Sequence, residues 1–204
     1  KKNIFGDIRY LNLNVIWNRS QEYYDSADWR GTKNKDGGVF LNQTSHYLDL
    51  LIYLFGYPNK INSFTSITRN NIQVEDTGIV NLVFKKLILG SFNVTMLNNF
   101  GNLETSLTLV GTKGSIVIGG LLLNKVNYFR SLSENKFNFL LNKQEKNYFS
   151  KPYKGHEFFY KNLYNSFLGK NNEISQGKDC LNTMKLIDQI YKNSKIIKTN
   201  IKNK

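Results

Sequence analysis

A histidine that follows a glycine-rich turn is the side chain best placed in this sequence to transfer a proton. From Thr44 the apolar residues recur at helical spacing until Gly56, with Pro58 just beyond, so the pattern predicts a helix with His46 in its first turn. The positive end of a helix disfavours a further positive charge, which keeps an imidazole there neutral and able to accept a proton. An ordinary hydrogen bond from His46 to a neighbouring loop is the alternative that the pattern leaves open.

The turn before this helix and an acid inside it complete the candidate site. Gly37 and Gly38 have no side chains, so the backbone there can bend sharply or approach a ligand closely. Asp49 lies about one helical turn after His46 on the same face of the predicted helix, where it could orient the imidazole or support the helix. These residues predict a proton-transfer site at the start of the helix.

Other reactive side chains are few. The single cysteine, Cys180, cannot form an internal disulfide, and its helical spacing with Met184 and Ile187 predicts a place in the core rather than a nucleophile. With 2 histidines and 1 cysteine in the chain, no cluster with the spacing of zinc ligands can be assembled. No metal site is therefore expected.

The elements that must position the candidate site are mostly strands, with helices before and after them. In the first strand, at 11–17, Leu11, Leu13 and Val15 alternate with polar residues. After the helix that carries His46, strand-like runs follow at 61–68, 78–84, 87–97, 103–110, 115–119 and 121–129. Two more helices are predicted after Gly155, one containing Phe159, Leu163 and Phe167 and the other Cys180, Met184, Ile187 and Tyr191.

Short connections predict antiparallel pairing between neighbouring strands. Lys85-Lys86 and the segment from Gly111 to Gly114 are too short to contain crossover helices. The second segment is therefore a hairpin turn and not a dinucleotide fingerprint, which must lie between a strand and a helix. The pattern predicts an α+β fold with an open, mostly antiparallel, meander-like sheet flanked by helices, in one domain over residues 1–204.

The formal net charge of +13 raises a rival hypothesis, a surface that binds nucleic acid or another polyanion. The lysines are spread along the chain, however, and gather only in the tail 192–204, which we expect to be a solvated segment. No run approaches the roughly 20 apolar residues that span a bilayer, so we expect a soluble, cytoplasmic protein without membrane contact. The segment 131–154, rich in Asn and Lys, could form a loop over the site.

A series of motifs along nearly the whole chain resembles one family of enzymes. The series comprises Trp17 and Arg19, Tyr23 and Tyr24, Trp29 to Thr32, Gly37 and Gly38, Asn42 to His46 with Asp49, Val74 to Gly78, Gly111 to Ser115, and Gly155 to Glu157. It is similar to the substrate domain of the glucose-fructose oxidoreductase/inositol dehydrogenase (Gfo/Idh/MocA) family, and within it to the dehydrogenases of UDP-N-acetyl-2-amino-2-deoxyglucuronate. Two departures are Thr44, where relatives usually have glycine, and a glycine pair before Val39 where many have three.

The resemblance implies an activity and a division of labour between domains. Such enzymes oxidise a sugar hydroxyl, here C3 of a UDP-linked N-acetylated uronic acid, with NAD or NADP bound mainly by an N-terminal Rossmann domain that also supplies a catalytic lysine. Neither the glycine-rich fingerprint nor the Glu-Lys-Pro motif of that domain occurs in these residues. We therefore expect a fragment that binds sugar nucleotide, assembles as a homo-oligomer through the sheet face, binds no cofactor by itself and is inactive alone.

The same resemblance implies roles for single residues. His46 would accept or relay the hydroxyl proton, with Asp49 orienting it or supporting the helix. Arg19 and Arg30 would clamp the uronate carboxylate or the pyrophosphate, because a planar guanidinium offers paired donors. Further substrate contacts are expected from an aromatic wall and from polar side chains: Tyr23, Tyr24, Trp29, Asn42, Gln43 and His156.

Other interpretations of these residues stay open. Trp17 and Trp29 could be core anchors, and Arg19 and Arg30 could be ordinary surface charges. The chain could also be a stand-alone, non-catalytic module for sugar-nucleotide binding or for oligomerisation. A basic polyanion-binding protein is the remaining alternative, although nucleic acid is not the expected partner.

Overall fold

The computed structural model describes residues 3–132, 155–171, 174 and 177–198. The strands are β1 (Ile8–Ile16), β2 (Lys60–Ile67), β3 (Thr77–Phe84), β4 (Ile88–Thr95), β5 (Glu104–Gly111), β6 (Gly114–Gly119), β7 (Lys125–Ser131) and β8 (Ser194–Lys198). The α-helices are α1 (Gln21–Asp25), α2 (Ser45–Phe55), α3 (Gly155–Phe167) and α4 (Gly177–Asn193), and a π-helical turn spans Val39–Gln43. None of these helices is long and apolar enough to cross a membrane.

The strands form one open sheet in the order β7-β6-β5-β1-β4-β3-β2-β8. The central strand β1 pairs in parallel with β4 and antiparallel with β5, and β8 pairs in parallel with β2. The predicted antiparallel pairs β3–β4 and β5–β6 are present, the second with Gly111 opposite Gly114. The α+β fold and the mostly antiparallel sheet are confirmed, but the sheet is not a simple meander, because β1 separates β4 from β5.

Alternation along the strands gives the sheet one buried face. Leu11, Leu13 and Val15 of β1 are fully buried, whereas Asn12 and Asn14 between them are only partly covered. Helices α2 and α4 pack on the buried face with side chains that include Leu48, Leu51, Leu186 and Ile190. Burying one such side chain contributes about 1.5–3 kcal/mol, so this packing, more than helix propensity, fixes α2 and the residues at its start.

The opposite face of the sheet remains open in the described structure and carries a polar centre. Asn93 Nδ2 donates to Asn12 Oδ1 and to Asn14 Oδ1, both over 2.9 Å. Asn14 Nδ2 donates to Glu104 Oε1 over 3.2 Å, and Ser91 Oγ donates to Asn12 Oδ1 over 2.7 Å. Exposed apolar side chains share this face with the asparagines: Tyr10, Ile79, Leu89 and Val110. We refer to these residues together as the open face.

The last described residues form an edge strand, which corrects the prediction of a solvated tail at 192–204. Ser194–Lys198 pairs with β2, and Ser63 Oγ of β2 donates to Ile190 O over 2.7 Å. The prediction was wrong here because β2, without β8, would have unpaired backbone groups along its edge. The last residues pair with those groups, and no local sequence signal reveals such an edge. Residues 199–204 lie outside the described residues, as does most of the loop predicted at 131–154.

Helix α4 also corrects the predicted position of the cysteine. Residues 177–182, which include Cys180, are all exposed, and the buried stripe of the helix begins only at Thr183. Helical spacing identified the helix, but the spacing does not tell where along its length the helix meets the sheet. Cys180 is therefore not a core residue.

The side chain of Phe40 fixes the π-helical turn to the sheet. Phe40 is fully buried, with its ring centroid 5.9 Å from that of Phe92 and 6.2 Å from that of Tyr191. A Cβ atom built on Gly78 of β3 would overlap this ring. The glycine therefore provides the space that the ring occupies.

We expect Gly78→Ala to destabilise the fold by about 1–3 kcal/mol, because the added methyl group would collide with a buried ring. Gly177→Ala is the matched control, since nothing lies within 4 Å of a Cβ atom at Gly177. Urea unfolding followed by circular dichroism would give the free energy of unfolding of both variants. Equal values for the two variants would contradict the packing described for Phe40.

Candidate functional site

The π-helical turn leads the chain from the glycine pair into α2. Gly38 precedes the turn with a φ of 137°, which favours glycine. A Cβ atom there would also overlap the carboxyl group of Glu75, whose Oε1 accepts a hydrogen bond from Phe40 N over 3.3 Å. At the other end of the turn, Thr44 Oγ1 donates to Val39 O over 2.8 Å. The turn is therefore fixed at both ends, directly before the helix that carries the histidine.

His46 lies in the first turn of α2, as predicted. One face of its imidazole lies against the ring of Tyr47, with centroids 4.0 Å apart, and the remainder is exposed. Trp17 packs edge-on against Tyr47 at 6.1 Å. Partial burial against this aromatic surface lowers the pKa of His46 below its ordinary value, so the imidazole is neutral at pH 7 and can accept a proton.

The histidine opens into a cleft of about 580 Å³ at the end of β1. One guanidinium, two amides and several apolar side chains line it: Trp17, Arg19, His46, Tyr47, Asn102, Leu121, Leu122 and Asn124. Ligand sites commonly combine an apolar wall with a few fixed polar groups that set orientation. This lining suits a ligand that carries both hydroxyl groups and a negative charge.

The guanidinium of Arg19 is fixed between aromatic rings. Its central carbon lies 5.3 Å from the ring centroid of Trp17 and 5.2 Å from that of Tyr23. Arg19 Nε donates to Gln43 Oε1 over 2.9 Å, and Gln43 Nε2 donates to the hydroxyl of Tyr23 over 3.0 Å. The structure thus brings together two of the predicted site residues, Arg19, which lines the cleft, and Gln43, which holds it from behind.

Arg30 shares the ring of Tyr23 with Arg19. Its guanidinium carbon lies 4.1 Å from the centroid of Tyr23 and 4.7 Å from that of Trp29. Its Nε atom is buried and has no hydrogen-bond partner among the described residues. Two guanidinium groups on one aromatic ring form a positively charged patch beside the cleft, which attracts anionic groups.

Asn42 and Asp49 stabilise the surroundings of the cleft. Asn42 Nδ2 donates to the carboxylate of Asp36, which also accepts a hydrogen bond from Gly31 N over 2.5 Å. Asn42 therefore connects the π-helical turn with the loop that carries Arg30. Asp49 accepts a hydrogen bond from Thr183 Oγ1 of α4 over 2.6 Å, so it supports α2, the second of its two expected roles.

Tyr24 and His156 are not part of the described cleft lining. Tyr24 is buried against Gly31, and burial raises the pKa of its hydroxyl to about 12, while the neighbouring Tyr23 makes the contacts to the arginines. His156 is exposed in the first turn of α3. Substrate contacts from Tyr24 and His156 stay predictions.

The far wall of the cleft was missed by the sequence analysis. It consists of Asn102, Leu121, Leu122 and Asn124. The strand predicted at 121–129 begins only at Lys125, because the chain turns before it, with Leu123 N donating to Gly120 O over 2.9 Å. No local signal singles out the two asparagines, since only the order of the strands brings their connections next to α2.

The described residues include no cradle for a dinucleotide. Gly111 and Gly114 close the β5–β6 hairpin, as predicted, and do not lie between a strand and a helix N-terminus. Within the described part of the chain, no three His, Cys, Asp or Glu side chains are grouped to hold a metal ion. The side chains at this site are able to accept a proton, at His46, and to attract an anionic group, at Arg19 and Arg30.

We expect the imidazole of His46 to titrate below its ordinary pKa of 6.5, because the ring of Tyr47 excludes water from one side. Proton–carbon correlation NMR across pH 4 to 9 would measure the midpoint, and His46→Ala would assign the signal. A midpoint at or above 6.5 would contradict the partial burial of this side chain.

Comparison with known proteins identifies the family. The model of an oxidoreductase family's C-terminal α/β domain, that of the Gfo/Idh/MocA family, matches residues 1–197. A comparison with curated protein sequences finds no significant match.

Solved structures of two dehydrogenases are similar to the chain over most of its length. The WlbA dehydrogenase from Chromobacterium violaceum, in complex with NADH and UDP-GlcNAcA, is 37% identical with a TM-score of 0.84. The WlbA dehydrogenase from Bordetella pertussis, in complex with the same two ligands, is 34% identical with a TM-score of 0.78. Each match covers 94% of this chain and 53% of the relative, so the chain spans about half the length of these enzymes.

A more distant solved structure from Thermotoga maritima shares the fold, at 13% identity and a TM-score of 0.66 over 94% of this chain and 54% of that one. The family match, the two dehydrogenases and the common sheet architecture agree with the resemblance seen in the motifs. This chain belongs to the Gfo/Idh/MocA oxidoreductase family and corresponds to its C-terminal α/β domain.

Proposed function

We propose that this chain is the substrate domain of an NAD(P)-dependent dehydrogenase that oxidises the C3 hydroxyl of a UDP-linked N-acetylated uronic acid. The observation that carries the proposal is the neutral His46 in a cleft whose wall holds the guanidinium of Arg19, with Arg30 beside it. The two dehydrogenases that share 34% and 37% identity are complexes with UDP-GlcNAcA, which supports the same substrate class here.

His46 is the proton acceptor in this proposal. Oxidation of a secondary alcohol removes the hydroxyl proton and a hydride from the same carbon, and a neutral imidazole near its pKa accepts such a proton efficiently. The contact with Tyr47 keeps the imidazole neutral before the reaction. The hydrogen bond from Thr183 to Asp49 holds α2, and hence His46, against α4.

The arginines provide the binding energy for the anionic parts of the substrate. A UDP-linked uronic acid carries a carboxylate and a diphosphate, and guanidinium groups bind both with paired, charge-assisted hydrogen bonds. Arg19 is already oriented by Gln43 and two aromatic rings, so less conformational entropy is lost on binding. Arg30 and the half-exposed ring of Trp29 extend this surface away from the cleft.

NAD or NADP would supply the hydride acceptor. The described residues contain no phosphate-binding turn, so we assign the cofactor mainly to a nucleotide-binding domain, as the family resemblance implies. These 204 residues should accordingly bind the sugar nucleotide but not oxidise it alone. A non-catalytic module for sugar-nucleotide binding or oligomerisation is the second candidate, favoured by the open face of the sheet.

We expect Arg30→Gln to weaken the binding of UDP-N-acetylglucosaminuronic acid by about 10- to 100-fold, the equivalent of about 1.5–3 kcal/mol for one charge-assisted hydrogen bond. Isothermal titration calorimetry on the purified chain would measure the dissociation constant. Arg9→Gln is the matched control, because Arg9 is exposed at the start of β1 and pairs with Asp7. An Arg30→Gln variant that binds as tightly as the control would refute the assigned anion site.

The same titrations separate sugar-nucleotide binding from polyanion binding. Free UDP should compete with the sugar nucleotide, and the competition should depend on Arg30. Binding of duplex DNA would instead weaken steeply as salt is added and would be unaffected by His46→Ala. Duplex binding with that behaviour, together with no response to UDP, would favour the rival hypothesis.

We expect static light scattering to show a dimer or tetramer, because the open face exposes apolar side chains around its polar centre. Leu89→Lys should shift the protein to a monomer, since Leu89 lies on the open face and is 57% exposed. Leu54→Lys on α2, where the leucine is 45% exposed, is the control and should leave the assembly unchanged. A monomeric parent protein, or equal effects of both variants, would contradict assembly through this face.

A further inference from the structure

Glu75 is a buried carboxyl group that contacts the turn before the candidate site. It precedes β3 and is 7% exposed. Its Oε1 accepts hydrogen bonds from Phe40 N over 3.3 Å and from the hydroxyl of Tyr191 over 2.9 Å. Gly38 allows this approach, because a Cβ atom at that position would overlap the carboxyl group. Glu75 thus connects the entry of the π-helical turn with α4.

No cation compensates this carboxyl group within the described part of the chain. Tyr191 from α4 is hydrogen-bonded to it, Asp36 from the loop before the turn acts on Tyr191, and Asp76 is its neighbour in sequence. Asp76 is directed elsewhere, since its Oδ2 accepts hydrogen bonds from Thr68 N over 2.9 Å and Arg69 N over 2.8 Å. Burial and the adjacent carboxyl raise the pKa of Tyr191, so its hydroxyl stays protonated and donates. Glu75 therefore has hydrogen-bond donors but no counter-ion.

We propose that Glu75 is a positioning residue that holds the π-helical turn in place when protonated and releases the turn when ionised. The closed arrangement is the one in this structure, in which Phe40 N donates to the carboxyl group of Glu75. The turn carries Asn42 and Gln43 and leads directly into His46, so the hold of Glu75 determines where these side chains lie. That these side chains form the substrate site rests on the proposed function. The contact between Glu75 and the turn does not depend on it.

The direction of the effect follows from burial. Loss of water around the carboxyl group raises the pKa of Glu75 from 4.5 to about 7, and hydrogen bonds from Tyr191 and the turn only partly oppose this. A carboxyl whose pKa is higher in the closed arrangement stabilises that arrangement at low pH, and this stabilisation is lost as the pH rises from 4.5 through about 7. Between pH 6 and pH 8 the closed arrangement should lose about tenfold in its equilibrium constant.

Amide hydrogen exchange read by mass spectrometry tests this proposal on the purified chain without substrate or cofactor. The peptide that covers residues 38–44 reports opening of the turn, once the intrinsic pH dependence of exchange is divided out. We expect its protection factor to fall about tenfold from pH 6 to pH 8 in the parent protein and to level off just above the pKa of Glu75. Protection that is constant over this range would overturn the proposal.

Three variants separate positioning from general support of the fold. Glu75→Gln keeps an acceptor for Phe40 N and Tyr191 but cannot ionise, so protection should become independent of pH. Tyr191→Phe removes a donor that favours the carboxylate, so the pH at which protection levels off should rise. Glu104→Gln is the matched control on the open face and should retain the parent pH dependence.

The outcomes distinguish this inference from the proposed function. A parent pH dependence that survives Glu75→Gln, or a levelling-off pH that does not rise in Tyr191→Phe, would overturn the role of Glu75. If Glu75→Gln does not fold, the shift in Tyr191→Phe alone decides the question. A chain that shows the expected exchange but fails to bind UDP-sugars would refute the proposed function and leave the positioning role of Glu75 in place.

Discussion

The burial of Phe40 between the sheet and α4 is the contact on which the candidate site depends. Its ring occupies the space above Gly78 and lies near Phe92 and Tyr191, so one side chain fixes the π-helical turn against two layers of the fold. The π-helical turn also sets where α2 begins, and α2 carries His46. Because interiors are closely packed, a shift of this ring would move the histidine relative to the cleft.

Aromatic rings organise the charges beside that turn. Arg19 and Arg30 would repel each other in the open, yet both lie on the ring of Tyr23, and Gln43 connects that tyrosine with Arg19. The electron-rich faces of the aromatic rings attract the two guanidinium groups, so no buried carboxylate is needed to hold them there. Positive charge is thus concentrated where an anionic ligand can reach it. Glu75, the buried acid that contacts the turn, accepts hydrogen bonds from the backbone and from a hydroxyl group instead of from the arginines.

Local periodicity was reliable where a residue's role depends on its neighbours in the chain. The first helical turn with His46, the strand with Leu11 and Leu13, and the hairpin at Gly111 all agree with the structure. Periodicity failed for Cys180 and for the start of β7, because it identifies an element but not where that element meets the rest of the fold. The same limitation left the edge strand β8 unrecognised.

The sequence by itself determined the α+β class, the family resemblance and the residues that could transfer a proton or bind an anion. Tertiary structure alone decided which of these meet: Arg19 and His46 share a cleft, Asp49 supports a helix, and Tyr23 rather than Tyr24 contacts the arginines. It also supplied Asn102 and Asn124 to the far wall. The reason is that strand order, with β1 inserted between β4 and β5, is set by non-local pairing of backbone and core side chains, which no short stretch of sequence encodes.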